Sequence, residues 1–240
     1  VLGNCTNVIV RDNGFDGIII KLKNNLNDLK LVSDTDIYAG AGVSLKKVSE
    51  FAMENSLTGL EFCHGIPGSL GGGVTMNAGA YDGEMKNVIK SVRLLDEDLN
   101  IIEVSCDGMN FSYRNSLVQE KNLIVLGATF SLSYGDKTEI REKYEELDRR
   151  REEKQPLDLP SAGSTFKRPT GYFAGKLIDD SGLRGFTHNG AGISEKHCGF
   201  VVNKNNATAS DVLETIEIVQ KVVQDKFNVK LEREVKIIGE

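Results

Sequence analysis

Apolar residues alternate with polar ones, or form short apolar runs, in several segments that predict β-strands. Residues 88–95, 101–104 and 123–132 show this pattern, with a polar turn at residues 96–100. Shorter strands are predicted at residues 18–22, 37–39, 199–203 and 235–238. The first ten residues have apolar ends around a Gly-Asn-Cys-Thr-Asn turn, so they predict two strands joined by that turn.

Apolar residues recur at helical spacing in two further segments. Ser44 precedes an apolar stripe in residues 45–52, which predicts a capped helix. Residues 212–227 repeat the spacing over more than four turns, with Ser210 or Thr208 as the cap. These two helices should each bury one face.

A third helix is predicted at residues 138–154, which are heavily charged and carry three apolar residues at helical spacing. Pro156 ends the pattern. Such a helix is typical of a solvated connection between two lobes. The predicted division is therefore residues 1–135 and residues 136–240.

Glycine is concentrated in residues 65–81. The segment holds six glycines, namely Gly65, Gly68, Gly71, Gly72, Gly73 and Gly79, far above the usual ~7%. Glycine lets backbone N–H groups approach a ligand with no Cβ between them, and it permits positive φ. We interpret the segment as a ligand-binding loop; the alternative is a tight loop between elements.

Composition excludes several function classes. The chain has 240 residues, a formal charge of -6 and a pI near 5.3, so the clustered positive charge that nucleic acid requires is missing. No apolar run reaches the ~20 residues of a membrane span, and no signal peptide is visible. Four scattered cysteines without a C-x-x-C pair indicate reduced thiols in a cytosolic setting and no metal site. We expect a soluble protein without membrane insertion.

Gly171–Lys176 looks like a phosphate loop but lacks its spacing and its hydroxyl residue, so we set it aside. Three polar clusters remain as candidates for chemistry. They are residues 111–116 around Arg114, residues 161–168 with a small-residue turn before two cations, and residues 231–236. Taken alone, the first cluster also fits a surface arginine, the second a capped turn and the third a charged strand edge.

At these residues the sequence resembles the UDP-N-acetylenolpyruvoylglucosamine reductase family, and it is similar to the shorter of the two family types. The matching motifs occur in family order at residues 2–7, 65–81, 112–116, 160–167 and 231–239. The resemblance implies an α+β fold. An FAD-binding lobe of the vanillyl-alcohol-oxidase type should precede a smaller substrate-binding domain.

The resemblance also implies a reaction. In this family FAD takes hydride from NADPH and passes it to the enolpyruvyl group of UDP-N-acetylglucosamine enolpyruvate, forming UDP-N-acetylmuramate for peptidoglycan. The expected setting is the bacterial cytoplasm, with roles in cell wall biogenesis, cell shape and cell division. No nucleic acid and no obligate protein partner are expected.

Site residues follow from the same resemblance. The implied catalytic residues are Arg114, Ser164 and Glu234, where an arginine and an acid stabilise enolate charge and a serine protonates carbon. The implied cofactor-binding residues are Asn4, Cys5, Thr6, Asn7, Gly65, Ile66, Pro67, Gly68, Ser69, Gly71, Gly72, Asn77, Ala78, Gly79 and Ala80. The implied substrate-binding residues are Tyr113, Lys167, Arg168, Lys176 and His197.

Two departures from the family pattern bear on these expectations. About sixty residues that the family has before the motif at residues 2–7 are not in this chain, and Cys5 stands where the family usually has glycine. Two alternatives therefore stay open. One is a flavin-free, inactive fragment of the reductase, and the other is a related FAD-dependent oxidase.

Overall fold

Short strands and helices are interspersed in the computed structural model, which describes residues 1–22 and 25–240. The strands are Val8–Val10 (β1), Leu29–Leu31 (β2), Asp36–Gly40 (β3), Leu57–Thr58 (β4), Gly79–Ala80 (β5), Gly83–Glu84 (β6), Ile89–Leu95 (β7), Ile101–Ser105 (β8), Ile124–Ser131 (β9), Ser133–Tyr134 (β10), Thr187–His188 (β11), Ala191–Ile193 (β12), Val201–Asn203 (β13) and Lys236–Ile238 (β14). The α-helices are Leu45–Glu54 (α1), Leu70–Thr75 (α2), Leu117–Glu120 (α3), Lys137–Lys154 (α4), Ala174–Asp180 (α5) and Ala209–Phe227 (α6). Short 3₁₀ turns lie at Glu61–Cys63, Met85–Asn87 and Asp107–Met109.

Two compact units divide the chain. Unit 1 comprises Val1–Asn4 and Ile19–Arg151, and unit 2 comprises Cys5–Ile18 and Glu152–Glu240. The sequence predicted a boundary near residue 136; in the structure α4 belongs almost entirely to unit 1. The reason is its buried face, on which Tyr144 donates from its hydroxyl to the backbone carbonyl of Ser49.

Unit 1 is built on a five-stranded antiparallel sheet with the order β2-β3-β9-β7-β8. The buried side of this sheet includes Ile37, Val92 and Phe130, all fully inaccessible to solvent. Helix α1 packs the buried residues Leu45 and Val48 into the same core. The predicted strands at residues 88–95, 101–104 and 123–132 correspond to β7, β8 and β9.

Unit 2 packs α6 and α5 around a small sheet with the order β11-β12-β13. Thr208 is the N-cap of α6, accepting a hydrogen bond from the backbone N–H of Asp211 at 3.1 Å. The segment Cys5–Ile18 joins this unit because β1 pairs in parallel with β14. Asp12 also accepts from the backbone N–H groups of Ala209 and Ser210 at the start of α6.

Two predicted strands are wrong. The apolar residues before the Gly-Asn-Cys-Thr-Asn turn contribute only Leu2 to an isolated bridge. Residues 18–22 form no strand: Ile18 is 88% exposed, and the described pairing is limited to an isolated bridge between Leu2 and Lys21. An apolar run forms a strand only where a neighbouring strand pairs with it through backbone hydrogen bonds, and no described strand does so here. Among the described residues no helix combines the length and apolarity that a membrane crossing requires.

Candidate functional site

The glycine segment contains a short helix, where the sequence predicted a loop. Gly71 and Gly73 lie inside α2, where a Cβ would meet Ala41 Cβ at 3.1 Å in the first case and Leu45 Cδ atoms at 3.1 Å in the second. Close packing therefore overrides the low helix propensity of glycine. Gly72 differs, since it is exposed and a Cβ there would meet only Ser69 Oγ, at 3.7 Å.

Unused hydrogen-bond donors collect at the start of α2. The backbone N–H groups of Leu70 and Gly71 donate to carbonyls of the loop before α1. Among the described residues, those of Ser69 and Gly72 donate to no acceptor, and the buried Ser69 Oγ has no partner either. Buried polar atoms are nearly always paired in proteins, so this surface fits an acceptor-rich ligand such as a cofactor phosphate.

Gly3 borders the same surface. A Cβ on Gly3 would lie 2.2 Å from Ser69 Oγ, so a side chain there would force the Ser69 hydroxyl to move. The predicted cofactor turn that follows is divided between the units: Asn4 ends the first piece of unit 1, and Cys5, Thr6 and Asn7 belong to unit 2. The backbone of Cys5 has φ of 59°, the left-handed conformation that glycine adopts without strain.

The first residues of the glycine segment are held by α4. His64 stacks on Tyr144 with ring centroids 4.6 Å apart, and its Nδ1 lies 3.0 Å from the Asp148 carboxylate. A Cβ on Gly65 would lie 2.6 Å from Arg151 Nη1. Helix α4, predicted as a solvated connection, therefore fixes the backbone that leads into Ile66, Pro67 and Gly68.

Arg151 is a candidate that sequence reasoning missed. It is 9% exposed, and its Nε and Nη1 atoms are buried with no hydrogen-bond partner. The signal was present in the sequence, because Arg151 continues the buried stripe of α4 at helical spacing. That stripe is Ile140, Tyr144, Leu147 and Arg151.

Asn77 organises the end of the glycine segment. Its side-chain amide donates to Glu84 Oε2 at 2.9 Å and to the Ser112 carbonyl at 3.1 Å, and its oxygen accepts from the Lys86 backbone at 3.0 Å. Both N–H donors and the oxygen of this buried side chain are thus engaged within the protein. Ala78 leads into the tight hairpin of β5 and β6, which contains Gly79 and Ala80.

Arg114 lies in a tight turn that rests on this segment. The turn is closed by paired backbone hydrogen bonds between Ser112 and Asn115, and Arg114 adopts a φ of 56°. Its Nη2 donates to the Gly79 carbonyl at 3.2 Å, and its guanidinium lies 5.0 Å from the Tyr113 ring centroid. Positive φ at a non-glycine residue is costly and clusters at functional sites.

In unit 2 the structure joins the segments that carry Ser164 and Glu234. The backbone N–H of Glu234 donates to the Thr165 carbonyl at 2.8 Å, next to an antiparallel bridge between Phe166 and Arg233. Asn7 adds a contact, because its side-chain amide donates to the Glu234 carbonyl at 3.3 Å. Ser164 and Glu234 are both partly buried, and their approach to a common substrate stays a prediction.

Three of the implied substrate-binding residues, Lys167, Arg168 and Lys176, are cations of the same unit. Their contacts are an ion pair between Lys167 and Glu232 (3.6 Å), a stack of Arg168 on Phe173 (4.1 Å) and an ion pair between Lys176 and Asp180. None of these ion pairs is buried, so each cation can exchange its partner at little cost.

His197 lies against the start of α5. A Cβ on Gly175 would approach His197 Cε1 to 3.6 Å, and His197 Nδ1 accepts from the Gly199 backbone at 3.0 Å. Burial lowers the pKa of His197, so the neutral imidazole with a proton on Nε2 is favoured. Its Nε2–H is therefore available as a hydrogen-bond donor at neutral pH.

Metal chemistry has no support in the described ranges, where no three His, Cys, Asp or Glu side chains come together as a possible ligand set. Burial raises the pKa of Cys63 to about 12. Its thiol therefore stays protonated at neutral pH and is a poor ligand.

Comparisons with known proteins agree with this geometry. A family model described as "FAD binding domain" matches residues 1–105, the part that contains α2 and the unused donors. This fold and its donor-lined glycine segment define the class as a flavin-dependent oxidoreductase. A second model, "UDP-N-acetylenolpyruvoylglucosamine reductase, C-terminal domain", matches residues 155–238.

Individual relatives narrow the class to one family. UDP-N-acetylenolpyruvoylglucosamine reductase of Caldanaerobacter subterraneus is 54% identical over 240 residues, which is all of this chain and 79% of the relative. That of Clostridium perfringens is 53% identical over 239 residues and 78% of its length. The crystal structure of the Thermus caldophilus reductase superposes with a TM-score of 0.86 at 34% identity, over 99% of this chain and 84% of that one. The chain belongs to the UDP-N-acetylenolpyruvoylglucosamine reductase family.

The predicted fold class is thereby confirmed, as are the family, the enzyme class and FAD as cofactor. The particular roles of the site residues stay predictions.

Proposed function

We propose that the protein reduces UDP-N-acetylglucosamine enolpyruvate to UDP-N-acetylmuramate, with NADPH as electron donor and FAD as carrier. The observation that carries the proposal is the hydrogen bond from Arg114 to Gly79, which ties a strained cationic turn to the donor-lined glycine segment. Bound FAD supplies two-electron transfer between the nicotinamide and the enolpyruvyl carbon. The residues of the chain position the substrate and handle its charge and proton.

The glycine segment holds the cofactor. Ser69 Oγ and the backbone N–H groups of Ser69 and Gly72 donate to the pyrophosphate, because they are preorganised and unused. Because Gly3 has no side chain beside Ser69 Oγ, the cofactor can come close to the backbone there.

Arg114 and Glu234 act on the enolpyruvyl carboxylate, where negative charge develops as the double bond is reduced. A fixed guanidinium stabilises that charge more in the transition state than in the ground state. Ser164 donates its hydroxyl proton to the neighbouring carbon, which requires the stabilised enolate because an unassisted serine is a weak acid.

Substrate phosphates bind at the cations of unit 2. Lys167, Arg168 and Lys176 provide charge, and His197 provides a neutral Nε2–H donor. Tyr113 packs beside Arg114 at the substrate end of the turn. The reaction belongs to peptidoglycan synthesis, and we place it in the cytoplasm, where it supports cell shape and division without an obligate protein partner.

The direct test is to purify the protein from its full coding sequence and record its visible absorption. A flavin spectrum, together with UDP-N-acetylmuramate formed from enolpyruvyl substrate and NADPH, supports the proposal. A colourless protein favours the inactive-fragment alternative. A flavin that is reoxidised by oxygen after reduction by an alcohol, and not by the enolpyruvyl substrate, favours the oxidase alternative.

A further inference from the structure

Glu234 lies where the pairing between β1 and β14 is interrupted. Strand β14 begins at Lys236 and pairs in parallel with β1, and the chain bends at Val235 just before it. A bend of this kind ends the regular ladder of backbone hydrogen bonds. The carbonyl of Glu234 therefore needs a donor from another source.

Asn7 supplies that donor from its side chain. Asn7 comes directly before β1, and its backbone carbonyl accepts from the Lys236 N–H at 3.0 Å. Its Nδ2 donates to the Glu234 carbonyl at 3.3 Å. The side-chain amide thus extends the pairing past the bend, to the residue that carries the carboxylate.

The other side of Glu234 is anchored more firmly. Its backbone N–H donates to the Thr165 carbonyl at 2.8 Å, and Thr165 Oγ1 accepts from the Val201 N–H at 3.0 Å. Thr165 is only 2% exposed, whereas the Asn7 side chain is partly buried. Removing the Asn7 amide should therefore loosen one side of Glu234 while unit 2 keeps its fold.

We propose that Asn7 is a positioning residue for Glu234, whose amide holds the bend at Val235 and so the place of the Glu234 carboxylate. The inference rests on the proposed function, because it requires Glu234 to act on the substrate. The sequence implied a cofactor role for Asn7. Its backbone can keep that role, while its side-chain amide serves the substrate half of the reaction.

A displaced Glu234 should affect one half-reaction. The reduction of FAD by NADPH does not involve the enolpyruvyl carboxylate, so its rate should stay at the parental value. The oxidation of reduced flavin by the enolpyruvyl substrate depends on groups that are held in place before charge develops. A misplacement of about 1 Å in such a group costs up to about 100-fold in rate.

The experiment uses holoenzyme expressed from the full coding sequence, with Asn7→Ala and Asn7→Asp. Aspartate has the shape of asparagine but no N–H to donate. Stopped-flow traces measure both half-reactions at saturating substrate, and titration of the apoprotein measures FAD affinity. Asn203→Ala is the matched control, because the Asn203 side chain also bonds to backbone within unit 2, at 3.2 Å and 2.9 Å to Ala207.

Both Asn7 variants should slow oxidation of the reduced flavin by the enolpyruvyl substrate about 10- to 100-fold. FAD affinity and reduction by NADPH should stay at the parental values. Asn203→Ala should lower the thermal midpoint and leave the rate of flavin oxidation unchanged. If Asn7→Ala does not fold, Asn7→Asp decides the question.

The variant Glu234→Gln shows whether Asn7 acts through Glu234. Added to Glu234→Gln, either Asn7 substitution should cause little further loss, because residues that act as a unit are not additive. A fully additive loss, a parental rate in both Asn7 variants, or an equal loss of FAD affinity overturns the inference while the proposed function stands. A parental rate of flavin oxidation in Glu234→Gln itself overturns the proposed role of Glu234.

Discussion

Gly72→Ala separates the structural and the ligand-binding reasons for glycine in α2. Three consecutive glycines occupy this helix, yet a Cβ would be crowded at only two of them. At Gly71 and Gly73 the nearest atoms of Ala41 and Leu45 lie at 3.1 Å. At Gly72 the nearest atom is Ser69 Oγ at 3.7 Å, an ordinary van der Waals contact. Gly72 is therefore glycine for a reason that the protein interior does not supply.

Gly72→Ala should stabilise the folded apoprotein and weaken the binding of FAD. Alanine is favoured over glycine in a helix by about 0.5–1 kcal/mol, which corresponds to a rise of about 1–4 °C in the thermal midpoint of a chain of this size. For cofactor binding, the new Cβ removes the close approach of the Gly72 amide to a charged oxygen. Loss of such a hydrogen bond costs about 1.5–3 kcal/mol, or roughly 10- to 150-fold in Kd.

Apoprotein melting and FAD titration measure the two effects on the same sample. Gly73→Ala is the control: overpacking against Leu45 costs about 1–3 kcal/mol, which offsets the helix gain, so its apoprotein should be no more stable than the parent. Tight FAD binding by a stabilised Gly72→Ala protein would refute our assignment of this amide to the cofactor. A destabilised Gly72→Ala apoprotein would refute the packing argument.

Three further predictions concern the catalytic residues and the fold. Arg114→Ala should slow oxidation of the reduced flavin by enolpyruvyl substrate ~10²-fold or more in stopped-flow traces, while reduction by NADPH changes little; equal losses would indicate a structural role. Ser164→Ala should still bind substrate and accept electrons from NADPH but fail to deliver the solvent proton, measured as product deuteration in heavy water; reoxidation at the parental rate would contradict the proton-donor role. Hydrogen bonds from the Ser210 hydroxyl and from the Ser210 and Ala209 backbone lower the pKa of Asp12, so its stabilisation should be complete above about pH 3.9 and lost as the pH falls through the lower folded value. Asp12→Asn should therefore melt earlier than the parent at pH 7, with the difference vanishing in strong acid; a gap that is independent of pH would exclude a charge effect.

The sequence alone determined the elements that have strong periodicity. Strands β7, β8 and β9 alternate apolar and polar residues, and α1 and α6 carry an apolar stripe after a capping Ser44 or Thr208. Local signals of this kind survive folding because the same residues that define the period also form the core. Ordered motifs likewise sufficed to indicate the family and the FAD cofactor.

Tertiary contacts decided the rest. Three glycines in a row predict a loop, yet they lie in α2, where Gly71 and Gly73 pack closely against Ala41 and Leu45. Helix α4 is charged enough to suggest a solvated connection, yet Tyr144 and Arg151 bury one face of it against unit 1. Cys5–Ile18 joins unit 2 through a strand partner more than two hundred residues away, Lys236–Ile238. Each of these outcomes depends on residues distant in sequence, whose approach no local pattern encodes.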